Sequence, residues 1–90
     1  MAMLGMDVDQ ADGAVSKINS QSGQLQTLIS QLNSTVTGLS SFWTGSDATQ
    51  FVGTVWPSHK SNLDKVKADL DQLSSDLKKE IEQQRQTSAS

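Results

Sequence analysis

His59 is the only histidine in the chain, and imidazole is the side chain best suited to proton transfer near neutral pH. A general base needs a nucleophile in reach, and a metal site needs further ligands converging on one point. His59 has no such company in the sequence. It falls on an apolar row and reads as a core or interface histidine with a hydrogen-bond partner. The carboxylates Asp64, Asp69, Asp71 and Asp76 are interleaved with Lys60, Lys65, Lys67 and Lys78. Pairs such as Asp64 with Lys60 or Lys67 stand at helical i,i+3 or i,i+4 spacing, which describes a solvated, ion-paired face. There is no cysteine, so disulfides and thiolate metal sites are excluded. The glycines are dispersed and form no phosphate-binding loop. No catalytic, cofactor-binding or metal residue is assigned, and the chain reads as a non-enzyme.

The elements that carry these residues are set by two heptad patterns. In the first half, Val8, Ala11, Val15, Ile18, Ser22, Leu25, Ile29, Leu32, Val36, Leu39 and Trp43 recur at alternating steps of three and four, with Ser22 the one polar member. This predicts one helix over about 8–43, roughly 54 Å long at 1.5 Å per residue. Asp7 is its expected N-cap, with Gln10 at N3. Gly13, Gly23 and Gly38 lie off the seam and each costs about 1 kcal/mol relative to alanine, so packing must hold this helix. In the second half, Val52, Trp56, His59, Leu63, Val66, Leu70, Leu73 and Leu77 repeat the pattern and predict a helix over about 47–84. Residues 85–90 read as a disordered polar tail and residues 1–6 as a short apolar lead.

Between the two patterns lies Phe42-Trp43-Thr44-Gly45-Ser46-Asp47-Ala48, with the turn itself at 44–46. Gly45 can adopt positive φ and end the first helix. Asp47 can cap the second, with Gln50 at N3. Trp43 closes the first stripe, and its ring is expected to pin the tip against the second helix. Pro57 stands inside the second pattern, four residues after Gly53. The pair reads either as a kink or as a break with Pro57 at the first position of a new helix. The fold class is therefore all-α: residues 1–90 form a single domain, an antiparallel two-helix hairpin.

Size and composition say what such a hairpin needs. A chain of 90 residues with 34% apolar side chains builds a narrow seam. Without disulfides or metal, oligomerisation is the remaining route to stability. Leu28, Phe42, Phe51 and Val55 lie beside the seam, and a two-helix hairpin cannot cover both sets. These four are the proposed contact for another chain, either a second copy or a related hairpin, completing a four-helix bundle. The net charge of −3 and the dispersed Lys and Arg residues disfavour nucleic acid. No apolar run approaches the ~20 residues of a membrane span, and the N-terminus lacks the basic and apolar regions of a secretory signal.

A hairpin of about this length with Trp43-Thr44-Gly45 at its centre resembles the WXG family, the small ESAT-like substrates of type VII secretion systems. Asp47, Ala48, Phe51 and Trp56 are similar to the residues after the motif in actinobacterial members. The resemblance covers about residues 8–84. It implies an antiparallel hairpin that dimerises into a four-helix bundle, with Trp43 and Gly45 as the turn motif. It also implies export from the cytoplasm without a cleaved signal peptide, or service as partner or chaperone to a larger exported protein. A secretion ATPase and a larger exported toxin are the further partners it suggests. Many members carry a C-terminal tyrosine followed four residues later by Asp or Glu; these residues contain no tyrosine. Either another signal serves or a partner supplies it. Two other readings compete: a membrane-active amphipathic protein, which the acidic, Gln- and Ser-rich polar faces speak against, and a generic coiled-coil adaptor.

Overall fold

The computed structural model describes residues 5–89. Met1, Ala2, Met3 and Leu4 of the apolar lead, and Ser90 of the tail, lie outside the described residues. Helix α1 runs Val8–Thr37. The Asp7 side chain caps it, accepting from the Gln10 N–H at 3.1 Å, while Asp9 complements the positive end of the helix dipole. The α-helix ends earlier than the heptads predict and tightens into a 3-10 turn at Gly38–Ser41. The local sequence accounts for this. Thr37, Ser40 and Ser41 donate their hydroxyls to the carbonyls of Asn33, Thr37 and Gly38 at 2.8, 2.9 and 2.8 Å. Hydroxyls that bond back to the preceding turn weaken α-helical continuation, and final turns commonly tighten in this way.

The second arm is one helical run in three pieces: α2 (Ser46–Gln50), a π turn (Phe51–Val55) and α3 (Trp56–Ala89). Gly45 has φ 114° and ψ 178°, a backbone region essentially restricted to glycine. It stands at the N-cap of α2, so it starts the second arm instead of ending the first. Asp47 is correspondingly one of the first residues inside α2 and makes no capping bond; its carboxylate favours the helix N-terminus through the dipole alone. The Gly45 carbonyl accepts both the N–H and the hydroxyl of Thr49, each at 3.1 Å.

At Pro57 the helical backbone continues. The turn just before it widens, and the Trp56 N–H donates to the Phe51 carbonyl, five residues back. A proline in a regular α-helix drives its ring into the carbonyl four residues earlier, here that of Gly53. A π turn placed immediately upstream relieves that clash without ending the helix. The arm then stays helical to Ala89, where the sequence predicts a disordered tail over 85–90. Arg85 explains part of this extension, because its guanidinium pairs with Asp12 at the start of α1.

The two arms lie antiparallel in a rod of 68 × 16 × 13 Å. The radius of gyration is 20.2 Å, against about 12 Å for a compact globule of this length. Such a rod has one layer of contact and little interior. Among the described residues the buried apolar side chains are Ile29, Ala48, Trp56 and Ile81, and Ser22 and Ser74 are buried with them. No strand occurs among the described residues.

On α1 the observed seam is the predicted one, with Ser22 and Ile29 innermost. On α3 it differs. Trp56, Leu63, Leu70 and Leu77 face inward as expected, but the row between them is Lys60, Lys67, Ser74 and Ile81 in place of His59, Val66 and Leu73. His59 is exposed, and Val66 and Leu73 are 50% and 51% exposed. Either row completes a three-four repeat with the shared leucines, so spacing alone does not choose between them. Polar contacts between the arms do.

Burial also ranks the two tryptophans. Trp56 is 8% exposed and Trp43 is 38% exposed. Trp56→Ala is expected to cost about 3–5 kcal/mol, and Trp43→Ala about 1–2 kcal/mol. Thermal melts of both variants check this order. A larger loss for Trp43→Ala would show that the tip, not the Trp56 layer, carries the hairpin.

Candidate interaction surface

Three polar links join the arms. Ser74 Oγ donates to Asn19 Oδ1 at 2.6 Å, Ser22 Oγ donates to Asp71 Oδ1 at 2.6 Å, and Trp56 Nε1 donates to Asn33 Oδ1 at 2.9 Å. The Asp12–Arg85 ion pair continues the series toward the open end. Asp71 also accepts from Lys67 Nζ at 2.7 Å. The lysine bond, and then the Ser22 hydroxyl, hold the Asp71 carboxyl below the usual carboxylate range, with slight desolvation opposing them. Among the described residues no buried side-chain polar atom lacks a partner.

These links fall on one side of the hairpin. Successive residues of a helix are rotated by about 100°. Asp71 precedes Ser74 by three positions and so lies about 60° to one side of the seam. Leu73 precedes Ser74 by one and lies about 100° to the other side. On α1, Asn19 and Asn33 are offset from Ser22 and Ile29 in the sense of Asp71, while Leu25, Leu28 and Leu32 are offset in the sense of Leu73. Equal rotational offsets on antiparallel helices point to the same side of the pair. One side therefore carries the hydrogen-bonded ladder. The other gathers Leu25, Leu28 and Leu32 of α1 with Leu63, Val66, Leu70, Leu73 and Leu77 of α3. Leu28, Val66 and Leu73 are each about half exposed there, at 49%, 50% and 51%.

The ladder is strong enough to set this arrangement. Turning α3 so that Val66 and Leu73 packed on α1 would gain about 1 kcal/mol for each newly buried half side chain. It would forfeit neutral hydrogen bonds of about 1 kcal/mol each, a stronger one to the charged Asp71, and the desolvation of a stranded Ser22 hydroxyl.

At the tip, the Trp43 ring meets Phe51 with centroids 5.5 Å apart and planes tilted by 50°. The Trp43 N–H donates to the Leu39 carbonyl at 2.8 Å. Phe42 leaves the 3-10 turn with φ −139° and is 77% exposed. An open cleft of about 390 Å³ lies between Trp43, Ala48, Val52 and Gly53. Of the contact residues predicted from sequence, Phe42 and Phe51 thus lie at the tip, Val55 is half-buried in the π turn, and Leu28 lies well down α1. Val66 and Leu73 were missed as surface residues because the heptad absorbed them into the internal seam. Ser22 was the available signal: a hydroxyl in a helix seam calls for a polar partner opposite, which Asp71, close to Ser74 on the same helix, supplies.

Among the described residues no group of three or more His, Cys, Asp or Glu side chains could hold a metal ion. No helix among them is long and apolar enough to cross a membrane.

Two substitutions test these assignments. The Asp71 carboxyl is lowered in the folded state, so its contribution is present above the ordinary value of 3.8 and is lost as the pH falls through the lower folded value. Thermal melts between about pH 6 and about pH 2 should show a steeper acid loss in the wild type than in Asp71→Asn. The difference should be small, because the group is half exposed and screened. Equal slopes would remove Asp71 from the ladder. A Cβ on Gly45 meets no atom within 4 Å, so only backbone strain opposes substitution. Gly45→Ala and Gly45→Leu should therefore cost a similar 1–3 kcal/mol or so in urea unfolding. A leucine much worse than alanine would point to crowding instead.

Comparison with known proteins agrees with this geometry. The family WXG100, described as proteins of 100 residues with WXG, matches residues 4–87. No curated protein and no solved structure matches the chain. With nearly the whole chain inside the match and Trp43-Thr44-Gly45 at the tip of the hairpin, the protein belongs to the WXG100 family, small helical proteins of type VII secretion systems.

Proposed function

We propose that this chain is a non-enzymatic pairing hairpin of type VII secretion, exported together with a second hairpin or serving as partner to a larger exported protein. Members of the family typically form dimers with similar helical proteins. The observation that carries the reading is the division between the two sides of the rod. One side has its buried polar groups satisfied within the hairpin, and the other leaves Leu28, Val66 and Leu73 half exposed near the middle of the rod. A second hairpin laid on that side completes a four-helix bundle, the arrangement in which two-layer helical rods bury their remaining apolar rows. Phe42, Phe51 and Val55 extend the contact at the tip, and Trp43 and Gly45 shape that end. The occupant is a second copy or a related hairpin. These 90 residues contain no tyrosine, so within them either a signal of another kind serves or the partner supplies the tyrosine-based one. Export proceeds without cleavage of a signal peptide, after a cytoplasmic stage in which the pair assembles.

Sedimentation equilibrium at micromolar concentration tests the pairing. The wild type should show a reversible monomer–dimer equilibrium. Leu28→Glu combined with Leu73→Glu should weaken it at least about tenfold, since burying unpaired carboxylates is unfavourable, while helicity by circular dichroism is retained. A well-folded wild type that stays monomeric at every concentration would reject the homodimer and leave a related hairpin as the partner. Unchanged association of the double variant would place the contact elsewhere.

A further inference from the structure

We infer that the polar ladder determines which face of α3 is offered to a partner. Helix α3 holds two rows that could each join Leu63, Leu70 and Leu77 in a seam. One contains Lys67 and Ser74; the other contains Val66 and Leu73. The second is the more apolar, yet the first is turned to α1. What the first row has, and the second lacks, is a match for the polar atoms of α1. Ser74 donates to Asn19 and, alongside that row, Asp71 accepts from Ser22, both at 2.6 Å. Ser22 and Ser74 are 2% and 6% exposed, so water cannot replace these bonds. Rotating α3 by about half a residue step, near 50°, would bring Val66 and Leu73 onto α1 beside the shared leucines, turn Asp71 and Ser74 away, and leave the Ser22 hydroxyl against apolar carbon. The same rotation would remove both apolar side chains from the surface. Asn19, Ser22, Asp71 and Ser74 are therefore positioning residues for association. They touch no partner, and they act by holding Val66 and Leu73 outward. The consequence for association rests on the pairing function proposed above; the rotation itself does not.

The absence of native cysteine allows a direct test with single introduced thiols. Val66→Cys, Leu73→Cys and Lys67→Cys are each placed in the wild-type sequence and in a ladder-free sequence carrying Asn19→Ala, Ser22→Ala and Ser74→Ala. Asn33 and Trp56 are left intact to hold the tip layer. Maleimide labelling is followed at a dilution where the protein is monomeric. With the ladder present, thiols from Val66→Cys and Leu73→Cys should react nearly as fast as an exposed control from Ser75→Cys. Without it they should slow at least tenfold, and the thiol from Lys67→Cys should speed up. Equal rates with and without the ladder would overturn the inference, as would loss of helicity in both the triple variant and the milder Ser74→Ala. Because labelling is read on the monomer, it decides the ladder's role separately from the pairing. A ladder that controls labelling in a wild type that never associates would reject the homodimer alone.

Discussion

Two buried hydroxyls, those of Ser22 and Ser74, constrain the rest of this hairpin. In a rod one contact layer thick there is nowhere to put an unpaired polar group at the seam except against a partner of its own kind. Ser22 finds Asp71 and Ser74 finds Asn19. Those pairs fix the rotation of α3 about its axis, and that rotation sorts its side chains between seam and surface. It places Ile81 and Lys67 along the contact with α1, and it leaves Val66 and Leu73 facing out. A purely apolar seam would have been free to choose the richer row and bury it, giving a hairpin with less reason to pair.

The thinness of the rod is the complementary fact. With four apolar side chains buried among the described residues, the isolated hairpin has little hydrophobic stabilisation to set against the cost of ordering two long arms. In the proposed pair, a second hairpin would supply the missing layer. The Trp56 layer, with its indole N–H bonded to Asn33, is the strongest internal fastening near the tip. The Gly45 turn and the Trp43–Phe51 contact shape the end without enclosing it. The π turn before Pro57 lets the second arm run continuously from the tip to the open end, and the apolar side occupies its middle, around Leu28, Val66 and Leu73.

Much of this was legible in the amino-acid sequence, for physical reasons. Helix periodicity is a strong signal over long segments, and the α1 seam tracks the heptad from Val8 to Leu39. The Asp7 cap was readable because a carboxylate before an apolar run has one obvious use. The family resemblance rested on Trp43-Thr44-Gly45 at the centre of two heptads, and the WXG100 match supports it. What could not be read was the phase of α3. Leu63, Leu70 and Leu77 serve two overlapping repeats equally, and local spacing contains no information about which faces α1. The choice lies in cross-arm pairs far apart in the chain, such as Asn19 with Ser74, 55 residues apart. The role of Gly45 was misjudged for a similar reason: the hydroxyls of Thr37, Ser40 and Ser41 end α1 before the glycine is reached.

Side-chain nuclear Overhauser spectroscopy on the dilute, monomeric protein reads the rotational phase of α3. Cross-peaks should link Asn19 and Ser22 to Ser74 and the Asp71 methylene, with the methyl groups of Val66 and Leu73 showing no strong contact to the centre of the α1 seam. Strong cross-peaks from Val66 and Leu73 methyls to Ser22 and Ile29, with Ser74 and Asp71 free of α1, would contradict that phase.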